Sequence, residues 1–132
     1  MTLRRRAVAV KQVPEKLNGK HGRLFFNELE SCMNVDRPSI VFDCSRVLQM
    51  DKVAIYLLLC CLEEAIKRNG DVKLAAIPME ARMMLELCGA DRLFEICETN
   101  AQAVKSFRQY PPRAPLGRIL PGDSLEAPVP SA

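Results

Sequence analysis

Between residues 4 and 109, segments typical of β-strands alternate with segments typical of α-helices, and this alternation limits the fold more than any other feature of the sequence. The first strand has β-branched residues at alternate positions, Val8 and Val10, and residues 39–44 form an apolar run typical of a buried strand. The order along the chain is β(β)αβαβαβα, where the bracketed strand is a short extended segment near residues 16–18. We therefore predict an α/β fold with a mixed or mostly parallel sheet of four to five strands and about four helices.

The longest predicted helix covers residues 51–68. Asp51 is a good N-cap residue, because its carboxylate can accept hydrogen bonds from the free amides of the first turn. The pair Asn69 and Gly70 is typical of a helix end. The apolar residues form two adjacent rows, Ala54, Leu58, Cys61 and Ala65 beside Ile55, Leu59, Leu62 and Ile66. This pattern predicts a helix packed against the sheet.

The remaining elements follow from shorter signals. An apolar stripe predicts a helix over residues 23–33, after a loop that contains Gly19, His21 and Gly22. Further along lie strands over 72–77 and 94–97, and a helix that starts at Pro78, runs through Cys88 and is stopped by Gly89. Thr99 and Gln102 are spaced as a capping box, in which Gln102 bonds back to Thr99, for a final helix to about residue 109 with Val104 and Phe107 facing inward.

The chain divides into one folded domain, residues 1–110, and a proline-rich tail, residues 111–132. The tail holds six of the nine prolines and has no periodic apolar pattern, so it is expected to be disordered or extended. The charged run Arg4, Arg5 and Arg6 is followed by too short an apolar stretch for a signal peptide. Because no apolar run approaches the length of a membrane span, we expect a cytoplasmic protein.

Catalytic and metal-binding patterns are missing from the sequence. It has no cysteine pair spaced for zinc, no Ser-His-Asp set and no glycine-rich phosphate loop, so we predict no metal, no cofactor and no enzymatic activity. Asp43 could have a perturbed pKa, but the favoured role is to end its strand by bonding loop amides. A redox or small-molecule sensor based on Cys60, Cys61 or Cys97 is the weakest alternative, since most cysteines lie in apolar patterns.

Three stretches resemble the STAS domain family, specifically its anti-sigma-factor antagonists. They are IVFDCSRV at residues 40–47, NGDVKL at residues 69–74 and LELCGADRLFEI at residues 85–96, and their order and spacing agree over about residues 38–107. The resemblance implies a partner-switching module. In this family, the loop after the central strand and the start of the next helix form a docking surface, which carries an Asp-Ser-Ser-Gly segment whose second Ser is phosphorylated by a partner kinase.

The corresponding segment of this chain departs from that pattern. Asp51 matches the family's Asp, but Lys52 replaces the first Ser, Val53 stands where the phosphoacceptor would be, and Ala54 replaces Gly. Valine has no hydroxyl group, so the resemblance implies a degenerate motif without a phosphorylation site at the family position. Ser45 is a conceivable substitute, although its favoured role is to bond backbone amides in the turn.

The resemblance implies a non-catalytic interaction module that binds an anti-sigma factor or a related serine kinase-like protein. The residues implied in partner binding are Ser45, Arg46, Gln49, Met50, Asp51, Lys52, Val53, Ala54, Tyr56 and Leu57. Lys52 lies in the first turn of a helix, where the dipole disfavours a cation, so it either contacts an acidic partner or is simply solvated. The alternative function is a constitutive scaffold or adaptor that assembles with itself, as a homodimer, or with STAS paralogues. Neither nucleic acid nor a membrane is an expected partner.

Overall fold

A computed structural model describes residues 7–109 of the chain. The strands are β1 (Ala9–Gln12), β2 (Lys16–Leu17), β3 (Ser39–Asp43), β4 (Gln49–Met50), β5 (Asp71–Ala75) and β6 (Glu95–Cys97). The helices are α1 (Gly19–Glu28), α2 (Glu30–Met33), α3 (Lys52–Lys67), α4 (Met79–Leu87) and α5 (Asn100–Gln109), with a 3-10 turn at Ala90–Arg92. The predicted tail, residues 111–132, lies outside the described residues.

The main sheet has four strands in the order β1-β3-β5-β6, and every neighbouring pair is parallel. The predicted α/β fold with a mostly parallel sheet is therefore confirmed. The short extended segment near residues 16–18 exists as β2, but it does not join this sheet. It pairs in parallel with β4, a two-residue strand that the sequence analysis did not predict.

Each face of the parallel sheet is covered by helices, as a parallel sheet requires. On one face, Ile40 and Phe42 of β3 pack in the larger core, to which α1, α3 and α4 contribute; fully buried members include Leu29, Leu58, Leu62, Leu74 and Leu85. On the opposite face, Val41 and Ala75 pack against Ala103 and Phe107 of α5. Because side chains alternate along a strand, Asp43 and Lys73 point toward the α5 face.

The ends of α3 follow the predicted chemistry. Asp51 is the N-cap, and its side chain accepts a hydrogen bond from the Ala54 amide at 2.8 Å. At the other end, Asn69 adopts a left-handed conformation with a φ of 65°, and the Gly70 amide donates to the Ala65 carbonyl at 2.8 Å. Gly70 itself is needed for space, because a Cβ atom there would lie 1.9 Å from the carbonyl oxygen of Pro38.

The predicted loop at residues 19–22 is wrong, since α1 begins at Gly19. Asn18 caps this helix, and its side-chain oxygen accepts a hydrogen bond from the His21 amide at 3.0 Å. His21 is therefore a residue of the first helical turn and not a loop residue. The cap overrides the weak helix propensity of the two glycines. The helix predicted over 23–33 is also divided, because α1 ends and α2 begins around Leu29.

Helix α5 is fixed to the sheet by apolar and polar contacts. Phe107 is buried and Val104 half-buried, as predicted. The ammonium group of Lys73, on β5, lies 3.0 Å from a Glu95 carboxylate oxygen and 4.5 Å from the centre of the Phe107 ring. Ser106 donates to the same carboxylate at 2.7 Å and accepts from Lys73.

Two other helix starts also differ from their predictions. At the start of α5, Thr99 accepts from the Gln102 amide as predicted, but Gln102 bonds back to the amide of Glu98 and not to that of Thr99. Pro78 is the N-cap of α4 and not its first helical residue. Its ψ of 155° keeps it extended, so the helix begins one residue later.

Candidate docking surface at the start of helix α3

The loop after β3, strand β4 and the first turns of α3 form one continuous segment at the carboxyl end of the sheet. This segment is anchored to the chain that precedes α1, because Leu48 and Gln49 both donate backbone hydrogen bonds to the Glu15 carbonyl, at 2.7 and 3.0 Å. The pairing of β2 with β4 places Lys16 opposite Gln49. The segment is therefore held in place by main-chain contacts that leave several side chains in solvent.

Three large apolar side chains are exposed on this segment. Leu48 is 68% exposed, Val53 46% and Tyr56 66%. Val53 and Tyr56 are three residues apart on α3, so they are neighbours on one helix surface. Leu48 lies in the loop directly before β4 and was not predicted as a binding residue, because the sequence of a loop does not show which of the adjacent apolar residues Val47 and Leu48 is buried.

The other predicted binding residues divide into exposed and buried ones. Met50 and Ala54 are 7% and 0% exposed and belong to the core, so their side chains do not face a partner. Leu57 is half-buried and lines a cleft of about 480 Å³ between α1 and α3. We define the docking surface by its exposed residues, which are Ser45, Arg46, Leu48, Gln49, Asp51, Lys52, Val53 and Tyr56.

Asp43 organises the loop at the end of β3. Its carboxylate accepts hydrogen bonds from the Ser45 amide at 3.0 Å and from the Asn100 side chain at 3.1 Å. Burial alone would raise the pKa of Asp43, but the hydrogen bonds from Ser45 and Asn100, together with the charge of Arg46, lower it below its ordinary value. The predicted role of Asp43 in bonding a loop amide is what the geometry shows. Ser45 supplies the amide, and the residue as a whole is exposed.

The cysteines differ in accessibility. Burial raises the pKa of Cys44 and of Cys61 to about 12, so neither thiol ionises appreciably near neutral pH. Desolvation and the neighbouring Glu95 also raise the pKa of Cys97. Cys60 is half-buried and Cys88 is exposed. Two of the three thiols named for a redox sensor are thus in surroundings that disfavour the thiolate.

Within residues 7–109, no group of three or more His, Cys, Asp or Glu side chains is arranged to hold a metal ion. In the same part of the chain, no helix is long and apolar enough to cross a membrane.

Comparisons with known proteins identify the family. The family model of the STAS domain matches residues 4–103, which is most of the chain. The chain therefore belongs to the STAS domain family. A search of curated protein sequences found no match.

Solved structures show the same fold at low sequence identity. A protein of Thermotoga maritima assigned as an anti-sigma factor antagonist matches with a TM-score of 0.72 and 20% identity, over 77% of this chain and 88% of that one. An anti-sigma-factor antagonist (STAS) domain protein from Planctomyces limnophilus matches at 0.68 and 16%, over 74% and 88%. The STAS domain of a SulP transporter from Vibrio cholerae matches at 0.61 and 16%, over 80% and 83%. At these identities the likeness establishes the fold, which antagonists and transporter domains share.

Proposed function

We propose that this chain is a cytoplasmic, non-catalytic interaction module that binds an anti-sigma factor or a related serine kinase-like protein through the docking surface. The observation that carries this proposal is the exposure of Leu48, directly before β4, and of Val53 and Tyr56 in the first turns of α3. A large apolar side chain held in solvent on an ordered element gains free energy when a partner covers it. The protein would then act in the regulation of transcription through its partner.

Binding at this surface is proposed to be independent of phosphorylation at the family position. Val53 lies in the first turn of α3, where free backbone amides and the helix dipole favour an added phosphate. A valine cannot receive a phosphoryl group, and its branched side chain makes the same position apolar. In the complex, Val53 should accordingly make apolar contacts with the partner.

The charges around the apolar residues favour an acidic partner surface. Arg46 and Lys52 are exposed, and the pairing of β2 with β4 places the exposed Lys16 opposite Gln49. The carboxylate of Asp51 is engaged in capping α3. Complementary charge of this kind mainly accelerates association and sets the orientation of the partner.

The variant Val53→Ser tests the assignment of the docking surface. If the geometry of the family surface is retained, this variant becomes a substrate of the partner kinase and releases it once phosphorylated, whereas the native chain binds without modification. Incubation with partner and ATP, followed by mass spectrometry and a binding measurement, reads out both effects. Tight binding of Val53→Ser without phosphorylation would contradict the proposed orientation of the partner.

A second candidate function is the scaffold that assembles with itself or with STAS paralogues, and one feature favours it. Met79, Met83 and Leu87 of α4 are 77%, 54% and 81% exposed. Their spacing of four residues places them on one helix face, which we call the α4 stripe. An apolar stripe of this kind is typical of a helix that packs against another protein surface.

The two functions use different surfaces and can be separated. Light scattering of the full chain over a wide concentration range measures self-assembly. If the scaffold function holds, Met83→Asp lowers the molar mass at high concentration, while Val53→Asp leaves it unchanged. A monomer at every concentration tested would contradict self-assembly through the α4 stripe.

A further inference from the structure

Two residues of the docking surface, Ser45 and Arg46, lie at the tip of the loop between β3 and β4. The loop is anchored on both sides of this tip. On one side, the Cys44 amide donates to the Ala75 carbonyl at 2.9 Å, and on the other, the Val47 amide donates to the Cys44 carbonyl at 3.0 Å. Between these anchors, the carboxylate of Asp43 holds the tip through the Ser45 amide.

The second oxygen of the Asp43 carboxylate is bound by a residue far away in sequence. Asn100, the first residue of α5, donates its side-chain amide to this oxygen at 3.1 Å. The carbonyl oxygen of the same Asn100 side chain is buried and has no hydrogen-bond partner among the described residues. The contact with Asp43 is therefore the hydrogen bond that orients the Asn100 side chain.

Helix α5 is itself fixed to the sheet by the contacts of Phe107 and Ser106 with Lys73. Asn100 thus provides a fixed reference point on the α5 face of the sheet, and Asp43 connects this point to the loop. The connection runs from α5 through one carboxylate to the Ser45 amide, and each step is a hydrogen bond of 3.0–3.1 Å.

We propose that Asp43 and Asn100 are positioning residues of the docking surface, and that they couple the orientation of Ser45 and Arg46 to helix α5. Neither residue has to touch the partner. Asp43 fixes the loop tip, and Asn100 fixes the rotamer in which Asp43 can do so. Loosening α5 would release the loop tip, so contacts made on the α5 face of the domain are transmitted to the docking surface. The consequence for binding rests on the proposed function, whereas the coupling itself does not.

A local alternative makes a different prediction. A strand-ending Asp that bonds the amide two residues on is a common turn, and such a turn is complete without any residue outside the loop. In that case, removing the Asn100 side chain would leave the Ser45 amide unchanged. The two explanations therefore differ in the effect of a residue that is 57 positions away in sequence.

The test is the hydrogen-exchange rate of the Ser45 amide, measured by NMR on the full-length chain without a partner. Asp43→Ala is expected to accelerate this exchange roughly tenfold, the factor that corresponds to one net hydrogen bond. Asn100→Ala is expected to accelerate it several-fold while the rest of the spectrum shows a folded domain. The matched control is Gln102→Ala, which removes a side-chain bond to the Glu98 amide at the same helix start without touching Asp43.

A pH titration of the Ser45 amide chemical shift gives a second measurement. Its midpoint would not change in Asn100→Ala if Asn100 had only a structural role in α5. The Ser45 amide shift should follow ionisation of Asp43, whose pKa lies below its ordinary value, and Asn100→Ala should raise that midpoint. Arg46, the charged neighbour, is retained in both proteins. An unchanged Ser45 exchange rate and midpoint in Asn100→Ala would overturn the coupling. Weaker partner binding by Val53→Asp would still support the docking surface in that case, so the two proposals fail separately.

Discussion

The junction between α3 and β5 allows a quantitative prediction, because Gly70 lies against the backbone of Pro38. A Cβ atom at Gly70 would lie 1.9 Å from the Pro38 carbonyl oxygen, 2.6 Å from its nitrogen and 2.7 Å from its Cδ atom. Two of these are backbone atoms and cannot rotate away. The variant Gly70→Ala therefore forces the chain segments that lead into β3 and β5 apart by at least about 1 Å.

The expected cost follows from the contacts that would be strained. Overpacking of a tight site costs roughly 1–3 kcal/mol. The hydrogen bond from the Asp71 amide to the same Pro38 carbonyl, now 2.9 Å long, would be weakened, at a cost of about 1 kcal/mol. We expect Gly70→Ala to lower the free energy of unfolding by about 3 kcal/mol.

Gly89→Ala is the matched control. Gly89 has a φ of 74°, and a Cβ atom there would meet nothing within 4 Å. Alanine in this left-handed conformation costs roughly 1–2 kcal/mol, without any steric overlap. The effect of alanine on the unfolded chain is similar at both positions and cancels in the comparison.

Urea unfolding of the native chain and both variants measures these differences from the transition midpoints. Gly70→Ala should lower the free energy of unfolding more than Gly89→Ala does, by roughly 1–2 kcal/mol. If Gly70→Ala costs no more than Gly89→Ala, the close approach of Pro38 to Gly70 is refuted.

Three further predictions concern the cap of α3, the ionisation of Asp43 and the thiols. Asp51→Ala should lower the free energy of unfolding by about 1 kcal/mol in urea denaturation, through loss of the bond to the Ala54 amide; no loss would contradict the cap. The lowered pKa of Asp43 means that its ionised form stabilises the folded state above the ordinary pKa of 3.8, and that this contribution is lost as the pH falls through the lower folded-state value. The stability advantage of the native chain over Asp43→Asn should therefore shrink on acidification. An advantage that grew would mean that folding raises the pKa of Asp43, against the expected direction. With a thiol reagent at neutral pH, Cys88 should react first in the folded protein, the half-buried Cys61 more slowly, and the buried Cys44 only on unfolding; early labelling of Cys44 would contradict its burial.

Local sequence patterns predicted the elements whose signals are strong and continuous. The apolar rows of α3, its Asp51 cap and its end at Asn69 and Gly70 are all present in the structure. The apolar run of β3 is likewise a central strand, buried on both faces. Helix α3 was predictable because burial of one face imposes a regular apolar period on a long helix, and β3 because burial on both faces leaves a continuous apolar run.

Features that depend on contacts between distant segments could not be predicted. Strand β4 is two residues long and exists because it pairs with β2, which places Lys16 beside the docking surface. The start of α1 was missed because Gly19 and Gly22 suggest a loop, whereas the Asn18 cap decides the local structure.

The candidate site also combines features that the sequence could predict with features that depend on distant contacts. Its location at Asp51 and Val53 was predicted from the resemblance to the family, and both residues lie at the start of a helix. The burial of Met50 and Ala54 and the exposure of Leu48 depend on how the whole segment packs on the core. The bond between Asp43 and Asn100 joins two ends of elements that come together only in the folded sheet.

The most direct test of the central claim is the dissociation constant of the chain for a purified anti-sigma factor or serine kinase-like protein from the same cell. The native chain is compared with Val53→Asp, which places a charge on the docking surface beside Tyr56, and with Met83→Asp, which places the same charge on the α4 stripe. We expect Val53→Asp to weaken binding at least about tenfold, as for a central interface residue, and Met83→Asp to leave the affinity unchanged. Equal affinities of the native chain and Val53→Asp would contradict a docking surface at the start of α3.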